Sequence, residues 1–532
     1  MPEASTLGLA YATQTWGVDG GLRDRPVAAV ARHNPTARTN PAPHPDPPNH
    51  PATPHTPDPP PAPPPGTAQQ PSVAELLARL GSPFTTEEVA AHADRTKQRK
   101  AVAGELPPWF LKAAAGQVAP LLAATFNAWQ RVGRLPTSAA LSIIQPILKP
   151  GGDPTSCSSL RGIALTTLAA KLYATILERR ISDWAEASGN RAAGQYGFRR
   201  KRSTAQAAFV LRTLQDQHRI QHQQLWACFV DFKQAYDSVP RERLWGRLQE
   251  RGLDAGWLRA AQALYEDVPM SVRTPAGLSP SFQALRGLKQ GCPLSPTLFG
   301  LYIDSLEGEL GAAARRGEQT DQPTFLAGST TAVPPLLYAD DLTLLATTPA
   351  GLQRQLLILQ GYCRQLGLTV NTAKTKVMLL SGARTVPASR QLAEAAGLLF
   401  AGQPVPTVTE FKFLGITFHS TTNMAGAACP ARTQLARLAL SNTRARCAEL
   451  GVEAAPVHLR LFSMMVDSVL SHGAEVWGVQ LVARAAASPE GAAGSAAERL
   501  QMGFLRGLLG VRQAAPNAVV LAETGEAPLW RR

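Results

Sequence analysis

The sequence predicts an α+β protein in which strands and helices share one core, and three observations carry that reading. From residue 141 onward, short apolar runs alternate with segments whose apolar residues recur every three or four positions. The run WACFVDF (226–232) is apolar on both faces, as expected of a buried central strand. With 532 residues, 44% of them hydrophobic, the chain can fill two or three folded units with sizeable cores.

In chain order, residues 41–65 hold 14 of the 44 prolines, interleaved with His44, His50 and His55. So dense a tract cannot form helix or sheet, and residues 1–70 are expected to be a disordered, solvated segment. Val73, Leu76, Leu77 and Leu80 then open a helical extension over 71–140. LSIIQPIL (141–148), closed by Lys149, Pro150, Gly151 and Gly152, reads as a strand. Leu165, Leu168, Leu172 and Ile176 mark a helix. Phe299, Ile303, Leu306 and Leu310 mark another, and Leu352, Leu356, Leu359, Cys363 and Leu366 a third. LLYADDLTLLA (336–346) has the shape of a β-hairpin, and Val377 to Leu380 of a strand. The main unit is thus expected over 141–420, with a helical, basic unit over 421–532.

Lysine plus arginine number 53 against 39 acidic residues, a net charge of +14 and a pI near 9.8. That balance points to a polyanion, either nucleic acid or an acidic membrane surface. No run of 18 uncharged apolar residues exists, so no membrane span is expected. The first basic residue is Arg23, which argues against a secretory signal. Six scattered cysteines without a C-x-x-C spacing argue against structural zinc and a disulfide framework. The expected setting is intracellular, nuclear or cytoplasmic.

The chemistry is carried by three carboxylates in apolar surroundings: Asp231 at the end of its strand, and Asp340 and Asp341 in the hairpin. A buried, unpaired carboxylate costs several kcal/mol, so a cluster needs a cation. Oxygen-rich clusters at strand ends suit hard divalent ions. The alternative is that these aspartates only terminate strands as turn residues.

Seven blocks widen the picture: LRGIALTTLAAKLYATILERRI (160–181), QYGFRRKRST (195–204), FVDFKQAYDSVPRERLW (229–245), GLKQGCPLSPTLFGLYID (287–304), YADDL (338–342), GLTVNTAKTKVM (367–378) and FKFLGITF (411–418). In this order they resemble the reverse transcriptases of non-LTR (LINE-type) retrotransposons. The resemblance implies a right-hand polymerase with fingers, a palm of antiparallel sheet and helices, and a helical thumb. The implied activity extends a DNA primer on an RNA template with dNTPs. Asp231, Asp340 and Asp341 would be the catalytic, metal-holding carboxylates for two Mg²⁺ ions, with Mn²⁺ as a substitute, and Asp341 would be the accessory one. Tyr236 would lie beneath the incoming sugar. Gln290 and Gly291 would position template and nucleotide. Arg161 and Lys149 would reach the triphosphate, and Lys374, or else Lys376, the leaving pyrophosphate. Arg199, Arg200, Lys201 and Arg202 would grip template phosphates, Arg432, Arg437, Arg444 and Arg446 the duplex, and FLGI (413–416) would form the primer-side hairpin.

Two family features have no counterpart in the sequence: an endonuclease domain and a C-terminal cysteine/histidine knuckle. The expectation is therefore a truncated element protein, with a catalytically silent nucleic-acid-binding remnant as the alternative.

Overall fold

The structure, a computed structural model, describes residues 71–97, 101–104, 106–325, 331–421, 424–487 and 494–529. The segment 1–70, expected to be disordered, lies outside the described residues. The chain divides into two compact units. The smaller contributes residues 148–161 and 274–277, and nearly all the remaining described residues belong to the larger.

In the smaller unit the chain doubles back on itself. The Lys149 amide donates to the Ser159 carbonyl, and Asp153 accepts from the amide and hydroxyl of Thr155. Lys149 and Arg161 are exposed there.

The larger unit begins with helices α1 (Val73–Gly81), α2 (Thr86–Asp94) and α3 (Ala115–Val132), which pack against α4 (Leu168–Ala187). Thr85 caps α2 by accepting from the Glu88 amide, one of the donors a helix start leaves unpaired. Arg180 of α4 anchors the extension by donating to the Ser82 and Pro83 carbonyls and pairing with Glu88. A guanidinium buried this deeply needs that many acceptors. The apolar stripe expected from Leu165 begins three residues later: Leu165 lies in a strand, and Thr167 caps the helix at Leu168.

Strands β1 (Ser142–Leu148) and β2 (Leu160–Thr166) join β4 (Pro269–Thr274) in one sheet. A second sheet is built from β3 (Leu225–Val230), β5 (Leu336–Tyr338), β6 (Asp341–Ala346) and β7 (Lys376–Ser381). Its order is β5-β6-β3-β7, antiparallel throughout. All six residues of β3 are buried, as the doubly apolar run predicts. Successive side chains alternate between two cores. Trp226, Cys228 and Val230 join the core of α4, α6 (Ser295–Ile303) and α7 (Pro349–Leu366). Leu225, Ala227 and Phe229 face α5 (Thr204–Ile220) and the hairpin of β8 (Glu410–Phe413) and β9 (Ile416–His419).

That last hairpin is the expected FLGI element. Leu414 and Gly415 both have positive φ, 47° and 85°, as a two-residue turn between right-twisted strands requires. From Met424 onward the described chain is helical, starting with α8 (Met424–Glu449). Arg432 of α8 is buried and donates to the Val469 carbonyl, so it braces the unit rather than facing a duplex.

Candidate active site

The β3–β6 register places the carboxylates. Val230 pairs with Leu342, so the next antiparallel position sets Asp231 opposite Asp341. Cross-strand neighbours hold their Cβ atoms roughly 5 Å apart and project on the same face. That face also carries Phe229 and Thr343, and a cleft opens over it, lined by Asp231, Asp341, Lys374, Phe411 and Phe413. Phe229 and Phe411 stack with ring centroids 4.0 Å apart, forming the apolar wall of the cleft.

Asp340 sits in the turn between β5 and β6, after Ala339 at φ +59°. A two-residue hairpin turn of this kind resolves a stereochemical difficulty. Adjacent strand residues point to opposite faces, but Asp340 precedes the strand and is aimed by the turn instead. Crowding by the protein, then the charges of Asp340 and Asp231, push the Asp341 carboxyl up to about 6. The three carboxylates therefore sense one another. Among the described residues no salt bridge reaches Asp231 or Asp341.

Lys374 reaches the cleft because its turn is fastened to Asp231. The Asn371 amide donates to the Asp231 carbonyl at 2.7 Å, and the Asp231 amide donates to the Thr375 hydroxyl. The amine of Lys376 instead donates to the Ala373 carbonyl, 2.8 Å away. Of the two lysines, Lys374 is the one brought to the carboxylates.

Tyr236 lies in the turn of helix Ala235–Ser238, its ring stacked on Phe299 with centroids 4.8 Å apart. Its hydroxyl is buried without a partner, and burial and then the charge of Asp340 push its pKa far up. Gln290 is held beside the same helix. The Leu288 amide donates to the Tyr236 carbonyl, and the Gln290 amide group donates to Asp237. Gly291, expected to let a ligand approach, serves first to let two strands of protein meet. It adopts φ +109°, and a Cβ there would lie 2.8 Å from the Ala164 carbonyl oxygen.

The basic cluster divides. Arg199 is largely buried and bidentate to Glu186, with further bonds to the Ala192 and Gln195 carbonyls. It is committed to the protein, so the expected four-residue grip loses this member. Arg200 pairs with Asp183 at the surface, Arg202 lies over the Tyr196 ring, and Lys201 is exposed. Two residues that sequence reasoning passed over stand out, Gln195 and Asp304. Both are polar, buried and connected to the hairpin by hydrogen bonds. The signal for them was the pair of glycines, Gly194 and Gly197, around Gln195.

The residues suit a hard cation in type: all the donors are carboxylates. Among the described residues, no three His, Cys, Asp or Glu side chains form a ready-made cage.

An antiparallel sheet with a carboxylate ending its central strand, beside a hairpin bearing two more, is the palm of a right-hand polymerase. Residues 147–418, just over half the chain, match the family described as "Reverse transcriptase (RNA-dependent DNA polymerase)". The chain belongs to that family. It is 26% identical, over 55% of its length, to a "Retrovirus-related Pol polyprotein from type-1 retrotransposable element R2" of Popillia japonica. It is 24% identical, over 64%, to the "RNA-directed DNA polymerase from mobile element jockey" of Drosophila funebris. A "Probable RNA-directed DNA polymerase from transposon BS" of Drosophila melanogaster is 26% identical over 56%. The matches span 39%, 36% and 31% of those relatives' own lengths. Enzymes of this family generally use divalent metal ions, and no described helix is long and apolar enough to cross a membrane.

Proposed function

We propose that this chain is an RNA-directed DNA polymerase that adds dNTPs to a DNA primer on an RNA template. The observation that carries the reading is the mutual crowding of Asp231, Asp340 and Asp341, with no cationic side chain paired to Asp231 or Asp341 among the described residues. Two Mg²⁺ ions held there would acidify the primer 3′-hydroxyl and offset charge on the departing pyrophosphate. Asp231 and Asp340 are assigned as ligands, and Asp341 as a third carboxylate facing Asp231 across the strands.

The other residues bind and orient. Lys374 presents an ammonium group to the cleft, where it meets phosphate charge and can donate a proton to the pyrophosphate. The Tyr236 ring, fixed on Phe299 near Asp340, leaves no room for a ribose 2′-hydroxyl and so selects deoxynucleotides. Gln290 orients template and nucleotide from its tether on Asp237. Lys149 and Arg161 are assigned to the triphosphate, and Arg200, Lys201 and Arg202 to template phosphates. The Phe229–Phe411 wall and the Leu414–Gly415 turn support the primer strand.

The test is primer extension on an RNA template with dNTPs and Mg²⁺. Extension is expected, is abolished by EDTA, and falls on the order of a thousandfold in Asp340→Asn, the several kcal/mol that metal-assisted charge stabilisation supplies. RNA binding survives in that variant. Binding without extension by folded wild-type protein would replace this reading with the silent remnant.

A further inference from the structure

The turn that aims Asp340 is an unfavourable one. Ala339 occupies the left-handed region, which costs a non-glycine residue about 1–2 kcal/mol. Something outside the hairpin must hold it. The segment Gly194–Gly197 does so, lying backbone to backbone along the outer edge of β5. The Tyr196 amide donates to the Leu337 carbonyl at 2.7 Å, and the Leu337 amide to the Gly194 carbonyl at 2.8 Å. The approach is so close that a Cβ on Gly197 would lie 2.3 Å from the Ala339 nitrogen.

Between these two backbones sits the side chain of Gln195, fully buried. Its oxygen accepts from the Gly197 amide at 2.8 Å and from the Ala339 amide at 3.0 Å. Its nitrogen donates to Asp304 at 3.2 Å. The orientation of the amide is forced, since two N–H donors stand on one side and a carboxylate on the other. Asp304 is in turn held by Arg191 at 2.7 Å, both side chains almost wholly excluded from solvent. An unbroken chain of hydrogen bonds, charge-assisted at Asp304, thus runs from Arg191 through Asp304 and Gln195 to the amide immediately before Asp340.

We infer that Gln195 is a positioning residue: it locks the Ala339 turn and thereby sets where the Asp340 carboxylate points. The structural coupling stands on the hydrogen bonds alone, while its consequence for catalysis rests on the polymerase reading above. Gln195 touches neither substrate nor metal. Its removal should lower kcat and leave nucleotide affinity nearly unchanged, because the site is misaimed rather than blocked.

Two measurements on full-length protein separate these parts. The first is amide hydrogen exchange by mass spectrometry in Gln195→Leu. Peptides covering 336–342 should exchange about tenfold faster or more, since the buried Ala339 amide loses its acceptor, while those covering 376–381 keep the wild-type rate. The second is primer extension, in which kcat should fall about a hundredfold with the KM for dNTP within about twofold. Gln195→Glu alone sets two carboxylates against each other and should also fail. Combined with Asp304→Asn it restores the donor–acceptor pairing with roles exchanged, and should recover both protection and rate. This double variant also decides the matter if Gln195→Leu does not fold. Wild-type exchange over 336–342 in Gln195→Leu, or a loosened hairpin with unchanged kcat, overturns the inference. If wild-type protein extends no primer, the polymerase reading falls and the exchange result alone decides the role of Gln195.

Discussion

Two groups of aspartates in this molecule are treated in opposite ways. Asp304 is buried, paired with Arg191 and bonded to Gln195, so its charge is matched almost where it sits. Asp231, Asp340 and Asp341 stand near one another at the end of the central strands, where burial and then the charges of Asp340 and Asp231 raise the Asp341 pKa to about 6. The difference teaches how carboxylates divide between structure and chemistry. A charge needed for architecture is neutralised by the protein itself. On the proposed reading, charges meant for an exchangeable cation are left in tension, and the chain relies on rigid neighbours to hold them together.

The largest expected effect lies on the paired side. Arg191→Met leaves Asp304 buried without a counter-charge and should lower stability by about 3–5 kcal/mol in denaturant unfolding. Arg191→Met combined with Asp304→Leu should recover much of that loss. No recovery would mean that the pair matters through Gln195 and the hairpin more than through charge.

A smaller effect sharpens the contrast from the cationic side. Lys289 is buried over the Tyr265 ring, with Ser142 as its hydrogen-bond acceptor and Cys292 and Arg241 nearby. Burial lowers its pKa from 10.5 to about 8. Because the folded state disfavours the protonated form, the penalty is full below pH 8 and fades as pH rises toward 10.5. Lys289→Met should therefore be the more stable protein at pH 7, by at most about 3 kcal/mol. Its advantage over wild type should shrink by pH 10. An advantage independent of pH would assign it to packing.

Much of this arrangement was legible in the sequence, for identifiable reasons. The β3 strand announces itself because burial on both faces leaves a continuous apolar run, and the YADD hairpin because its apolar arms are symmetrical. The helix Pro349–Leu366 follows its three- and four-residue stripe. What failed depended on partners distant in sequence. Arg199 reads as a free cation in a basic run, yet Glu186 on α4 claims it. The stripe from Phe299 to Leu310 reads as one helix, but the chain breaks at Asp304, which turns inward to meet Arg191. Gln195 carries no charge and follows no period, so only its flanking glycines hint that backbones meet there.

The smallest stability effect bears on the central claim most directly. Thermal unfolding of wild type and Asp341→Asn should be compared in EDTA and again with Mn²⁺. In EDTA the variant should melt at the higher temperature, because removing one charge relieves the crowding around Asp231 and Asp340. Mn²⁺ should raise the wild-type midpoint, as any ligand of the folded state does, and shrink or reverse the difference. A variant that melts lower than wild type in EDTA, or a gap that Mn²⁺ leaves untouched, would contradict the account.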